Sequence, residues 1–253
     1  MIIFTIIPLF MIMYFAFTSS DGGFTLASFR KIGSYADSFA KSIWIAFLST
    51  VVCLIISYPL GFVMSRMKLK AQTTMTMLLM LPMWMNFLLR IYAWVFLLQD
   101  GGPISSFLSL FSINVPLIGN AGAVVLGIVY NFFPFMVLPI YSVMTKIEQS
   151  TIQAAQDLGA NGFRVFTRVV LPLSVPGVIS GITMVFVPAA STFLVSQYLG
   201  GVNDKLIGDL IYENYYIDKN LCAMLSLVLM AVMLIFMSLM NKWGDNDMEG
   251  MVI

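Results

Sequence analysis

The sequence predicts an all-α, polytopic membrane protein with six transmembrane helices in a single domain, 1–253. Composition is the first observation behind this. Of 253 residues, 60% are hydrophobic and 10% charged, whereas soluble domains carry roughly a quarter charged residues. Segment length is the second. A hydrocarbon core of ~30 Å needs ~20 apolar residues as helix, and stretches 1–18, 42–65, 73–98, 121–144, 176–196 and 222–241 answer to that length. The third is that charges gather between these stretches. Net charge of +1 without a basic tail gives no nucleic-acid signal, and the lack of histidine and of clustered cysteine leaves no zinc or haem pattern.

The first stretch starts at Met1 with no basic residue ahead of it and no small-residue cleavage site. It reads as a first transmembrane helix, not a signal peptide, with a cytoplasmic lead-in lost or never present. Lys and Arg in short loops set orientation. With the N-terminus inside, Arg66, Lys68, Lys70, Lys146, Arg164, Arg168 and Lys242 lie inside, and Arg30, Lys31, Lys41, Lys205 and Lys219 lie outside. Both termini are therefore expected in the cytoplasm of a bacterial cell, as is the polar interruption 148–172.

That interruption carries its own helix signals. Ser150-Thr151-Ile152-Gln153 fits a capping box, with Ser150 as the cap and Gln153 reaching back. Ala154 and Ala155 follow, small enough to let another protein approach closely. Gly159 is expected to end the helix in a left-handed conformation. Asn161 can cap a second helix, on which Phe163, Phe166 and Val170 share one face and Arg164 and Arg168 another. Pro172 and Pro176 close the element and start the fifth span.

Three spans carry candidate pathway residues. In the third, Pro82, Asn86, Arg90 and Trp94 recur every four residues and form one stripe on a continuous helix. Arginine at membrane depth faces a bundle interior or a wet cavity, so Arg90 either lines the pathway or locks helices through carbonyls and polar side chains. In the fifth span Pro188 frees the carbonyl near Met184, which needs a protein or water partner. A cavity and a packing kink both satisfy it. Asn131, with Pro134 and Pro139, makes a weaker version of that case in the fourth span. No Asp or Glu lies deep in a span. Asp100 closes the third, and Asp209 and Glu213 stand four apart on an outer segment beside three tyrosines. Carboxylates with aromatic faces suit ammonium groups, although an interfacial aromatic belt has the same composition.

The run Q-A-A-x-x-x-G-x₁₁-L-P resembles the E-A-A-x₃-G-x₉-I-x-L-P loop of ABC-importer permeases. Ala154, Ala155, Gly159, Leu171 and Pro172 match, Val169 takes the Ile place, and Gln153 replaces Glu. The resemblance implies the type I importer permease fold and a coupling helix containing Gln153, Ala154, Ala155 and Asp157 that docks on an ATPase subunit. It also implies the partners: a cytoplasmic ATPase dimer, a second homologous permease chain and an extracytoplasmic substrate-binding protein. The bland alternative for this loop is an amphipathic helix on the inner leaflet. The chain holds no G-x-x-x-x-G-K-[ST] run, so it is read as a transport subunit without a cofactor, and ATP and Mg belong to the partner.

F-L-L-R-I-Y-A-W-V-F-L-L-Q-D-G-G, which brings Tyr92 among the candidate pathway residues, is similar to a third-span segment of polyamine permeases. P-A-A-S-T-F-L-V-S-Q-Y-L-G-G followed by L-I-G-D-L-I resembles their fifth span and outer loop. Lys219-Asn220 replaces their Trp-Pro. This resemblance implies spermidine or putrescine as cargo, moved by alternating access. Arg90, a fixed cation at membrane depth, is the residue that most challenges this cargo; the alternatives are another small solute such as an anion, or a channel or ion-coupled carrier, which would need no ATPase.

Overall fold

The computed structural model describes residues 2–18, 23–25, 27–111, 115–201 and 205–249. Apart from an isolated bridge between Thr18 and Phe24, its regular structure is helical. In chain order the helices are α1 (Ile2–Phe17), α2 (Ala27–Lys31), α3 (Ala36–Ser65), α4 (Leu69–Met80), α5 (Phe87–Leu98), α6 (Pro103–Ser109) and α7 (Ala121–Met144). There follow α8 (Gln149–Asp157), α9 (Gly162–Val165), α10 (Leu171–Ser191), α11 (Leu194–Leu199), α12 (Ile207–Ile217) and α13 (Lys219–Glu249).

Among the described residues, four stretches are long and apolar enough to cross a bilayer: Phe29–Ser65, Ala121–Met144, Gly162–Ser191 and Lys219–Trp243. The count reaches six only with a bent pair and with α1. At 16 residues, α1 is about 24 Å long.

The third span departs from expectation. It is two helical pieces, Leu69–Trp84 and Phe87–Ser109, bent by 90°. The cause is local. Pro82 sits in a tight 3-10 turn and Met85 is extended. Asn86 Oδ1 then accepts the Leu88 N–H at 2.8 Å and starts α5 afresh, as a short polar side chain does at a helix start. The four-residue stripe therefore does not lie on one continuous helix. Asn86 is exposed while Arg90 is buried.

The fifth span also differs. It begins in the polar element instead of after it: α9 runs through a π-helical turn, Phe166–Val170, directly into α10. Pro172 has no N–H to give the Arg168 carbonyl, and a widened turn accommodates that loss. At its far end α10 stops at Ser191, three residues past Pro188, and α11 is separate.

The chain forms two compact units. One comprises Met1–Phe47, Ile91–Gly127 and Pro188–Phe236; the other comprises Leu48–Arg90, Ile128–Val187 and Met237–Ile253. In the second unit Cys53, Met136, Ile140, Met144, Ile147, Ile152, Val165, Val170 and Val185 form the core. Gly177 and Gly181, one turn apart, bring α10 onto α7. A Cβ on Gly177 would stand 2.9 Å from the Pro139 carbonyl, and one on Gly181 2.7 Å from Met136 Sδ. Small residues at this spacing permit such close approach between membrane helices.

Candidate functional site

Two places carry functional geometry, one in each unit. The first is the polar element, held to its unit by its apolar side. Ile152 is buried in the core, and Ala155, Ala160 and Phe166 pack against it. The Phe166 ring takes Tyr58 and Phe62 edge-on, at 5.8 and 6.0 Å between centroids. Arg66 Nη1 donates to Gln149 Oε1 at 3.1 Å, which ties the start of α8 to the end of α3.

The end of α8 fits expectation closely. Gly159 has φ +83°. Its N–H reaches the Gln156 carbonyl at 2.8 Å, and the Ala160 N–H reaches the Ala155 carbonyl at 3.1 Å. This is the paired bonding of a Schellman cap, and Ala155 and Ala160 both pack against the core. Asn161 also behaves as expected: its Oδ1 accepts the Arg164 N–H at 2.9 Å.

The start of α8 does not. Glu148 is the cap residue and no side chain closes it. Ser150 lies inside the helix and donates its hydroxyl to Glu148 Oε2 at 2.9 Å. The expected capping box of Ser150 and Gln153 is absent because the helix begins at Gln149, which shifts the register. Phe163 also leaves the face assigned to it. It is 75% exposed, while Phe166 is half-buried and Val170 buried.

The outward face of the element is thus Gln153, Ala154, Asp157, Leu158 and Phe163, with Ala155 turned inward. Leu158 is 90% exposed. Sequence reasoning passed over Leu158 and misplaced Phe163. The legible signal was a large apolar residue on each side of the Gly159 break. Leu171 and Pro172 are exposed at the start of α10.

The second place lies in the other unit, where α11 and α12 enclose a cavity of about 230 Å³ lined by Ser196, Gln197, Gly200, Gly201, Lys205, Asp209, Tyr212 and Glu213. Asp209 stands in the first turn of α12, and its Oδ2 accepts the Leu206 N–H at 2.8 Å. Ser42 on α3 fastens the same helix start. Its hydroxyl accepts the Ile207 N–H at 2.7 Å and donates to the Ser38 carbonyl at 2.8 Å. Gly208 lets α12 approach the broken end of α10, where a Cβ would meet the Thr192 carbonyl at 2.8 Å. The Tyr212 ring stacks on Phe193 at 4.9 Å and 14°, and Lys205 Nζ pairs with Glu213.

Asp209 is only 7% exposed. Burial pushes its carboxyl above the ordinary carboxylate range. The Leu206 N–H and the Ser196 hydroxyl pull it down, Glu213 raises it, and Lys205 lowers it. A folded carboxyl raised above its unfolded value loses stability as it ionises, and regains it as pH falls through the folded pKa. The melting temperature of wild type relative to Asp209→Asn is therefore expected to rise on acidification from neutrality, read by a fluorescence melt at several pH values.

The remaining predicted residues are scattered. Asn86, Arg90 and Asn131 belong to the unit of the polar element, and Tyr92, Trp94, Asp100 and Pro188 to the unit of the cavity. The Arg90 guanidinium lies 5.4 Å from the Phe87 ring centroid. Asn131 is buried, Asp100 is exposed, and Trp94 and Pro188 are half-buried. Tyr92 meets the Tyr198 ring at 4.9 Å. Among these candidates, the structure gathers Asp209 and Glu213 into one cavity.

Comparison with known proteins agrees with this architecture. Residues 57–248 match the family described as binding-protein-dependent transport system inner membrane component. The spermidine/putrescine transport system permease protein PotB of Haemophilus influenzae is 35% identical over 231 residues, covering 87% of this chain and 81% of the relative. The Escherichia coli K12 protein of the same name is 32% identical over 222 residues, covering 83% and 81%. Among solved structures, a bacterial ABC transporter involved in import of the acidic polysaccharide alginate superposes with TM-score 0.77 at 15% identity, covering 97% of this chain and 91% of that one. The MetNI methionine ABC transporter superposes with TM-score 0.59 at 17% identity, covering 83% and 93%. With its helical elements, its capped polar element and this match over most of its length, the chain belongs to the inner-membrane permease components of binding-protein-dependent ABC transport systems.

Proposed function

We propose that this permease subunit imports polyamines, spermidine or putrescine, and that residues 148–172 are its coupling element. The outward face of α8 carries the coupling reading: Gln153, Ala154, Asp157, Leu158 and Phe163 stand free of the core that holds Ile152 and Ala155. A face with exposed Leu158 and Phe163 beside small Ala154 suits a protein groove. The names and identities of the relatives support the cargo. Both termini and the coupling element lie in the cytoplasm. The partners are an ATPase dimer that binds ATP and Mg, a second homologous permease chain and an external binding protein. Loaded binding protein docks outside, nucleotide-driven closure of the ATPase dimer moves α8, and the spans alternate between outward and inward openings.

The test is reconstitution with the ATPase, permease and binding-protein chains, then ATP-dependent uptake of labelled spermidine and putrescine against a panel of anions. Saturable, ATP-dependent polyamine uptake is the expected result; uptake of an anion alone overturns the cargo. Leu158→Asp tests the dock separately. Because Leu158 is 90% exposed, the melting temperature is expected to stay unchanged. Recovery of the ATPase on purification should fall about tenfold, equivalent to ~1.4 kcal/mol at the contact.

A further inference from the structure

We infer that the cavity between α11 and α12 is a binding site for one protonated primary amine, held by the Asp209 and Glu213 carboxylates against the Tyr212 ring. One buried carboxylate oxygen in the cavity wall is unpaired. Asp209 is more than nine-tenths buried, and it lines the cavity. Its Oδ2 is taken by the Leu206 N–H. Its Oδ1 has no hydrogen-bond partner. The Ser196 hydroxyl lies close enough to lower the carboxyl's pKa, but it is directed at the Phe193 carbonyl, 3.0 Å away. A buried carboxylate oxygen left without a donor is expensive, and a ligand that brings N–H donors removes that cost.

Charge and size then define the ligand. Asp209 and Glu213 supply two negative charges and Lys205 one positive, so the cavity lacks one cation. Lys205 already pairs with Glu213, which shows the carboxylate accepting an ammonium. An incoming –NH₃⁺ has three donors, for Asp209 Oδ1, Glu213 and the Gln197 side-chain carbonyl. Tyr212 offers its ring face, pinned in place by the stack on Phe193, for cation–π attraction. A volume of about 230 Å³ lies below the ~300–1,000 Å³ typical of sites that enclose a drug-sized ligand. It accommodates one end of an alkyl amine, leaving the remainder of a longer chain outside.

The identity of the amine as transported cargo rests on the polyamine reading; the site itself does not. The experiment uses the purified complex of this permease with its partner chains. It measures melting temperature with putrescine or methylammonium against sodium chloride of equal ionic strength, and labelled putrescine uptake. Asp209→Asn is the main variant, because its side-chain oxygen still accepts the Leu206 N–H while the charge is gone. Glu213→Gln, at a half-exposed position, carries the same test should Asp209→Asn fail to assemble.

Wild type is expected to be stabilised by both amines, with the half-saturating concentration raised about tenfold or more by either variant. Polyamine uptake by wild type with variants that saturate at the same concentration overturns the site and leaves the cargo standing. Stabilisation by methylammonium that Asp209→Asn abolishes, without putrescine uptake by wild type, keeps the site and overturns the cargo. Neither stabilisation nor uptake in wild type overturns both.

Discussion

Replacing Gly159 with valine is expected to uncouple ATP hydrolysis from uptake while leaving the chain in the membrane. The reason is conformational and local. Gly159 has φ +83° and no atom within 4 Å of where a Cβ would stand, so the substitution meets no steric neighbour. The left-handed conformation disfavours any L side chain by ~1–2 kcal/mol, and a β-branched one most. The two cap bonds, from the Gly159 and Ala160 N–H groups, depend on that conformation. Once they open, α8 no longer hands the chain to Asn161 at the angle that presents Leu158 and Phe163 together. ATP-driven uptake should fall at least about tenfold, since ~1.4 kcal/mol corresponds to a factor of ten. The melting temperature should fall only slightly, because the core around Ile152 is untouched. Uptake equal to wild type, at equal membrane abundance, would show that the cap conformation does not matter for coupling.

A larger loss of stability is expected from Gly177→Val. Its Cβ would sit 2.9 Å from the Pro139 carbonyl oxygen and 3.0 Å from Val143 Cβ. Neither atom lies at the free end of a side chain, so α10 must move off α7. Overpacking of this kind costs about 1–3 kcal/mol and occasionally more. Gly181→Ala is the internal control. There the contact under 3 Å is to Met136 Sδ at 2.7 Å, on a flexible side chain, and the nearest backbone atom, the Met136 carbonyl, stands at 3.2 Å, so the strain is smaller. Size-exclusion melting curves in mild detergent should therefore rank the variants wild type, Gly181→Ala, Gly177→Val, from most to least stable. Equal curves for Gly177→Val and wild type would mean that the helices are not held at this distance.

Much of the polar element 148–172 was legible because its signals are local. Gly159 and Asn161 act on their own backbone neighbours, so their roles follow from residue type and spacing. The start of α8 was not legible in the same way. Ser-x-x-Gln is compatible with a cap, yet Gln149 is drawn into the helix, its side chain held by Arg66 from the end of α3. A contact that spans so many residues leaves no mark on a four-residue motif. The third span failed for another reason. Hydropathy records how apolar a stretch is, not whether it is straight, and the break at Asn86 needs one side chain to choose a cap over solvent.

The sequence by itself determined the class of this protein, the location of its spans to within a few residues for Ala121–Met144, and the left-handed cap at Gly159. These follow from apolar content, length and backbone chemistry, which act within one turn of helix. Only the tertiary structure decided that Ala154 faces outward while Ala155 packs inward, and that Asp209 and Glu213 share one cavity. It also showed Asp209 to be buried with a carboxylate oxygen unpaired. Burial depends on which other segments arrive. Ser42 reaches the start of α12 from 165 residues away along the chain, and no local pattern around residue 209 encodes its arrival.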